Sequence, residues 1–127
     1  MSALPLFKGI ICPPIIRPID VNGSVVKGEP LETLEHRDAK KVWLHAAIEL
    51  HPHTDGLWMW SASLMGAEGG RSYKVGPKWG KFAECRRDAL FHAAAEILRG
   101  ARDFDCGPRF SRSVRAWAEG LQREARD

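Results

Sequence analysis

Apolar and polar positions alternate most clearly in two neighbouring stretches. From Val42 to Leu50, one side carries Val42, Leu44, Ala46, Ile48 and Leu50, and the other Trp43, His45, Ala47 and Glu49, which predicts a strand. A helix would instead line up Ala39, Trp43, Ala46, Ala47 and Leu50. The unbroken alternation, and the turn-forming His51-Pro52-His53-Thr54-Asp55-Gly56 that follows, favour the strand. Leu57–Met65 then returns antiparallel, with Trp58, Trp60, Ala62 and Leu64 as its buried face. Arg71–Val75 reads as a third, shorter strand ended by Pro77.

The period changes after Lys81. Phe82, Cys85, Ala89, Ala93 and Ile97 recur at spacings of three and four, with Leu90, Ala94 and Leu98 widening the stripe. This predicts a helix over Phe82–Arg99, alanine-rich enough to lie close to a sheet and stopped by Gly100. Asp103 to Phe110, with Gly107-Pro108, is a connection. From about Ser111, Val114, Trp117, Ala118, Leu121 and Ala125 form the stripe of a C-terminal helix.

Residues 1–30 predict an extended arm, because Pro5, Pro13, Pro14, Pro18 and Pro30 remove backbone donors and bias their predecessors away from helix. Its isoleucines are too apolar for a solvated tail, and Asn22-Gly23 predicts a short hairpin between Ile19–Val21 and Ser24–Val26. Such an arm also docks readily on a second subunit, so a homodimer is one expectation. Leu31–Lys41 is charged and reads as a helical turn or loop. The whole is an α+β domain: a small antiparallel sheet of about three strands with a long helix packed across it, an extended N-terminal arm and a C-terminal helix. Residues 1–127 make one domain, with the arm at 1–30, the sheet-plus-helix core at 42–102 and the last helix at 109–127.

Composition agrees: 127 residues, 44% hydrophobic and 28% charged, fit one globular core. The net charge of +3 is unevenly spread. Residues 1–70 carry 6 Lys/Arg against 8 Asp/Glu, whereas residues 71–127 carry 13 against 8, so an anionic partner is expected to meet the second half. Three cysteines, none in a Cys-x-x-Cys, argue against a disulfide framework. With no signal peptide and no membrane span legible, the expectation is a cytoplasmic chain with reduced thiols and no membrane partner.

The chemistry-bearing groups fit structural roles. His51, His53 and Asp55 offer metal-ligand types within five residues, but a site needs a further converging ligand, and a solvated turn explains them. Cys85 lies on its helix's apolar stripe, and His92, seven positions on, is about 10 Å away along the helix, too far to activate it. Asp103 and Asp105 oppose a thiolate at Cys106. There is no Walker loop, Gly-x-Ser-x-Gly elbow, Rossmann fingerprint or His-Glu-x-x-His. A non-enzyme without cofactor or bound metal is expected.

The stretch between sheet and helix stands out. Arg71, Lys74, Lys78 and Lys81 flank Tyr73 and Trp79, and Arg86 and Arg87 follow at the helix start, whose free amides also favour anions. Cations meet phosphates and aromatic faces stack on bases, so this set is the candidate nucleic-acid-binding site. Arg109, Arg112 and Arg115 form a second cationic set. Sheet, basic connection and Ala-rich helix (Arg87-Asp88-Ala89-Leu90, Ala93-Ala94-Ala95) resemble the second half of double-stranded RNA-binding domains, although Lys-Lys-x-Ala-Lys is absent and Glu84 intrudes. The Trp-rich hairpin followed by Arg-Arg-Asp-Ala-Leu is similar to small accessory proteins of phages and mobile elements, which implies a context rather than an activity. The expected function is non-catalytic recognition of a nucleic acid or nucleoprotein. The alternative is a phage or mobile-element protein that inhibits or adapts a host protein complex by direct protein–protein binding.

Overall fold

The computed structural model describes residues 10–66, 69–103 and 108–127, so the first nine residues of the arm and Cys106 lie outside it. The centre is an antiparallel meander of β2 (Glu32–Arg37), β3 (Leu44–Pro52) and β4 (Trp58–Gly66). Beyond β4 the sheet divides. β5 (Gly69–Arg71) pairs with its C-terminal end, and β6 (Lys81–Ala83) with its start, where Trp58 faces Ala83 and Met59 faces Phe82. β1 (Ile15–Ile16), from the arm, completes the sheet beside β6. Two helices follow, α1 (Arg86–Asp103) and α2 (Pro108–Arg126).

The fold is α+β, but the expected sheet of about three strands under one long helix is corrected: the described residues form six antiparallel strands, and the expected C-terminal helix is as long as the first. Glu32–Arg37, expected as helical turn or loop, is a strand whose Thr33, Glu35 and Arg37 face solvent while Glu32, Leu34 and His36 are half-buried. Its alternation is real, but charges occupy both faces because this is the edge strand. β1, β5 and β6 hold two or three residues each, too few for periodicity to be legible. The third strand is Gly69–Arg71 rather than Arg71–Val75.

One face of the sheet offers Ala46, Ile48, Leu50, Trp60, Ala62 and Leu64 to the helices. α1 answers with Ala89, Leu90, Ala93, Ala94, Ile97 and Ala101, and α2 covers α1 with Val114, Ala118, Leu121 and Ala125. Burying Leu90 alone contributes about 2 kcal/mol. Small residues on α1 let it approach the sheet closely. Gly100, expected to stop the helix, belongs to this contact: α1 continues to Asp103, and a Cβ at Gly100 would collide with Leu64 Cδ1. Phe82 leaves the predicted helical stripe altogether. It sits in β6 and packs with Met59 and Val75 on the other face of the sheet.

That second face is also covered, which the alternation did not foretell. Met59, Ser61 and Ser63 are buried there, with Val26 and Val75 packed in the Met59 cluster. The buried hydroxyl of Ser61 donates to Glu49 Oε1 at 3.1 Å, and the same oxygen accepts the Val75 N–H at 2.9 Å. The arm makes this cover possible. A turn forms at the Asn22-Gly23 region, with Gly23 N–H donating to Asp20 O, but its flanks do not pair into a hairpin. They clasp the segment 75–80 from both sides instead. Arg17 N–H bonds Gly80 O at 2.7 Å, Asp20 N–H bonds Lys78 O at 3.0 Å, Lys78 N–H bonds Ser24 O at 3.1 Å and Val26 N–H bonds Val75 O at 2.8 Å.

α2 reaches the sheet through aromatic and imidazole rings. The His36 ring stacks on Trp117 at 5.5 Å, its Nε2 lies 2.6 Å from Ser113 Oγ, and His45 packs against Phe110 at 4.9 Å. Burial, reinforced by the neighbouring His45, holds the His36 pKa below its ordinary 6.5. The unfolded chain therefore takes up a proton there more readily than the fold does, and stability falls as pH drops below 6.5. The urea midpoint is expected to be lower at about pH 5 than at about pH 7, with His36→Gln narrowing the difference. Glu32, held below its ordinary 4.5 by Arg86, stabilises the fold above that value and loses its contribution only at lower pH. It leaves this window undisturbed.

Candidate functional site

The rear half of α1, β5 and the segment 72–81 enclose a cleft of about 660 Å³ lined by Arg71, Tyr73, Trp79, Lys81, Glu96 and Arg99, with Ile19 of the arm at its edge. Its floor is a polar network. Glu96 lies on the buried side of α1, only 8% exposed. Its Oε1 accepts from Trp60 Nε1 at 3.3 Å and from Lys81 Nζ at 2.6 Å, and its Oε2 accepts the Tyr73 hydroxyl. Lys81 Nζ also contacts the Tyr73 oxygen and lies 4.3 Å from the centre of that ring. Each member thus meets a partner that its burial requires.

Electrostatics fix the charge states. Burial, then the Glu96 charge, pushes the Tyr73 pKa far up, so the phenol stays neutral and donates. Burial lowers the Lys81 pKa, Glu96 opposes that shift, and Arg71 and Arg99 add to it. The two arginines are therefore close enough to be felt by the ammonium. They are exposed, and neither makes an ion pair among the described residues. Lys81 and Glu96 neutralise each other, and Asp103 lies 3.5 Å from Arg102. What the cleft offers a ligand is two guanidinium groups beside an aromatic wall, with the exposed Asp103 carboxylate also on its lining. In that wall, Trp79 meets Tyr73 edge-on at 5.1 Å and donates its indole N–H to Lys74 O at 2.8 Å.

The eight residues expected to act together are divided. Arg71, Tyr73, Trp79 and Lys81 converge on the cleft, with Tyr73 and Lys81 serving its floor. Lys74 turns to the other face, where its ammonium bonds Gly28 O. Lys78 lies 5.3 Å over the Trp79 ring but does not line the cleft. Arg86 forks onto the Glu32 carboxylate, with Nε 2.6 Å from Oε2, and Arg87 donates to Ile10 O at 2.8 Å. Both stand at the start of α1, about 20 Å along the helix from Arg99. Arg109 lines a different cavity, with Trp43, His45 and Phe110. Arg71 and Arg109, one from each cationic set, thus line separate cavities.

Glu96 and Arg99 were not singled out from sequence. A signal existed for Glu96: it follows Ala89 by seven positions and Ala93 by three, so a carboxylate interrupts an apolar stripe. The His51–Asp55 turn forms as expected and its groups are occupied. His51 Nδ1 accepts the Leu31 N–H at 2.9 Å, the His53 ring packs against Phe82, and Asp55 accepts the Leu57 N–H and pairs with Arg17 at 3.5 Å. No helix among the described residues is long and apolar enough to cross a membrane. Comparison with family models, with curated proteins and with solved structures finds no match to this chain.

Proposed function

We propose that the protein is a non-catalytic binding module for a single-stranded nucleic acid or nucleoprotein, with the Arg71–Arg99 cleft as its anion site. The observation that carries this reading is the pair of arginines, unpaired among the described residues, at the mouth of an aromatic-walled cleft. A volume of about 660 Å³ suits one or two nucleotides rather than a duplex. Arg71 and Arg99 take the phosphates, and Trp79 supplies stacking surface. Lys81 and Tyr73 act indirectly by holding the cleft's shape.

Fluorescence anisotropy with labelled single-stranded DNA and RNA at low salt tests this. Two phosphate contacts give a slope of log affinity against log salt near about −1.4. The double variant Arg71→Ala/Arg99→Ala is expected to abolish most of the binding, whereas Lys74→Gln leaves it intact. Equal binding by the double variant and the parent rejects the reading.

A second reading draws on another surface. Val42 and Trp43, 63% and 70% exposed at the β2–β3 turn, suit an apolar anchor for a protein partner, as an inhibitor or adaptor of a host complex requires. Here Trp43→Ser abolishes partner capture and charge reversal at Arg71 does not.

A further inference from the structure

The geometry points to a second site, remote from the cleft: Cys12, Glu84 and Asp88 form a binding site for a thiophilic divalent cation of the Zn²⁺ class, which ties the arm to the start of α1. The three residues come from separate places, namely the arm, the β6–α1 connection and the first turn of α1. Their Sγ and carboxylate oxygens nevertheless lie within 4.8 Å of one another. Tetrahedral Zn²⁺ with metal–sulfur and metal–oxygen bonds near 2.3 and 2.1 Å holds such atoms roughly 3.5 Å apart, so small side-chain rotations close the set.

An independent observation concerns Asp88. It is 1% exposed, and its Oδ1 is buried without a hydrogen-bond partner. Buried carboxylate oxygens are rarely left so, because nothing then replaces the water they have lost. A helix-start amide or a serine would satisfy this one, yet neither does. The nearest cation, Arg87 Nε at 3.6 Å, is likewise buried and without a hydrogen bond. A metal ion bound by Asp88 gives the carboxylate the partner it lacks. One thiolate and two carboxylates around a dication leave a single negative charge, and the Arg87 guanidinium beside Asp88 meets it.

The arm is already fixed at the ligand and two residues before it. His92 Nε2 lies 2.7 Å from Cys12 O, and Arg87 Nη2 donates to Ile10 O at 2.8 Å. Cys12 is therefore held over the helix start before any ion arrives. A metal takes the thiolate, so coordination releases the Cys12 thiol proton to solvent. The donor set decides the class: a thiolate disfavours Mg²⁺ and Ca²⁺, two carboxylates disfavour Cu⁺, and Zn²⁺ accepts both. Three protein ligands leave a fourth position for water. Sequence spacing could not reveal this set, since 72 positions separate Cys12 from Glu84.

The test is a titration of the reduced, full chain with Co²⁺, followed in the near ultraviolet for the thiolate-to-metal charge-transfer band, then with Zn²⁺ as competitor. One equivalent is expected to develop the band, and Zn²⁺ to erase it. Cys12→Ser removes it, Cys85→Ser and Cys106→Ser retain it, and Glu84→Gln, on the exposed member, weakens binding at least about tenfold. Circular dichroism of each variant confirms that the fold persists. A chain that develops no band with Co²⁺, or one whose band survives Cys12→Ser, overturns the proposal. Nucleic-acid binding measured in the same variants keeps this outcome separate from the fate of the cleft.

Discussion

Replacing Glu96 with alanine is expected to lower stability by about 2–4 kcal/mol, measured as a fall in the urea midpoint. Three donors converge on this carboxylate: the Trp60 indole, the Tyr73 hydroxyl and the Lys81 ammonium. Without it, the ammonium faces a phenol and two arginines with no anion at hand. Breaking a buried pair from one side costs about 3–5 kcal/mol, and the value here is reduced because the Lys81 side chain, 21% exposed, still reaches water. The sign can be checked through pH. With its folded pKa below the ordinary 10.5, Lys81 is easier to bury once neutral, so part of the lost stability returns as pH rises towards that value. Removing both charges, as Glu96→Leu/Lys81→Met, is expected to cost less than either single change, giving a large coupling energy in a double-mutant cycle. Simple additivity would show that the two groups do not act as a pair.

Gly80→Ala is expected to cost about 3 kcal/mol, for a different reason. The φ of Gly80 is 67°, a left-handed conformation that costs any other residue about 1 kcal/mol. A Cβ there would also strike the Arg17 carbonyl and approach Pro18 O at 3.1 Å. Both obstacles are backbone, so no rotamer change relieves them, and the arm has to move. The Arg17 N–H to Gly80 O bond and the β1–β6 pairing are lost with it. Hydrogen exchange distinguishes this from general weakening. The amides of Arg17, Asp20 and Lys78 are expected to exchange faster in the variant by a larger factor than those of Ile48 and Leu50. A uniform change across the sheet would place the cost in the core instead.

Length decided what could be read from the chain. The nine-residue strands β3 and β4 and the two long helices each hold several repeats of their period, and all four were legible. Helix boundaries shifted: Phe82 went to a strand, Gly100 went inside α1 as a packing contact, and Pro108 opens α2 at a position that suits proline. β2 carried a correct alternation hidden by Glu and Arg at an edge, and β1, β5 and β6 are too short to carry any. The site was half legible for a related reason. Nearness in sequence brought Arg71, Tyr73, Trp79 and Lys81 into view, but it does not determine where a side chain points. Lys74, Arg86 and Arg87 were claimed by Gly28, Glu32 and Ile10, partners that lie 46, 54 and 77 positions away. Arg99 lay inside the expected helix, but that it shares a cleft with Arg71 depends on how α1 packs on the sheet.

The clasp of the arm around 75–80 also orders events on the ribosome. Ile15 and Ile16 pair with Phe82 and Lys81, so the earliest described segment to leave the exit tunnel has no partner until more than sixty further residues have followed. The β2–β4 meander, whose contacts are local, has no such wait. Until β6 emerges, Ile15 and Val26 remain uncovered, and so does the sheet face holding Met59. A nascent chain arrested before Gly80 therefore displays two complementary apolar surfaces that cannot yet close on each other. That interval, rather than the finished fold, is when this chain is most open to binding by a chaperone or to pairing with a second copy.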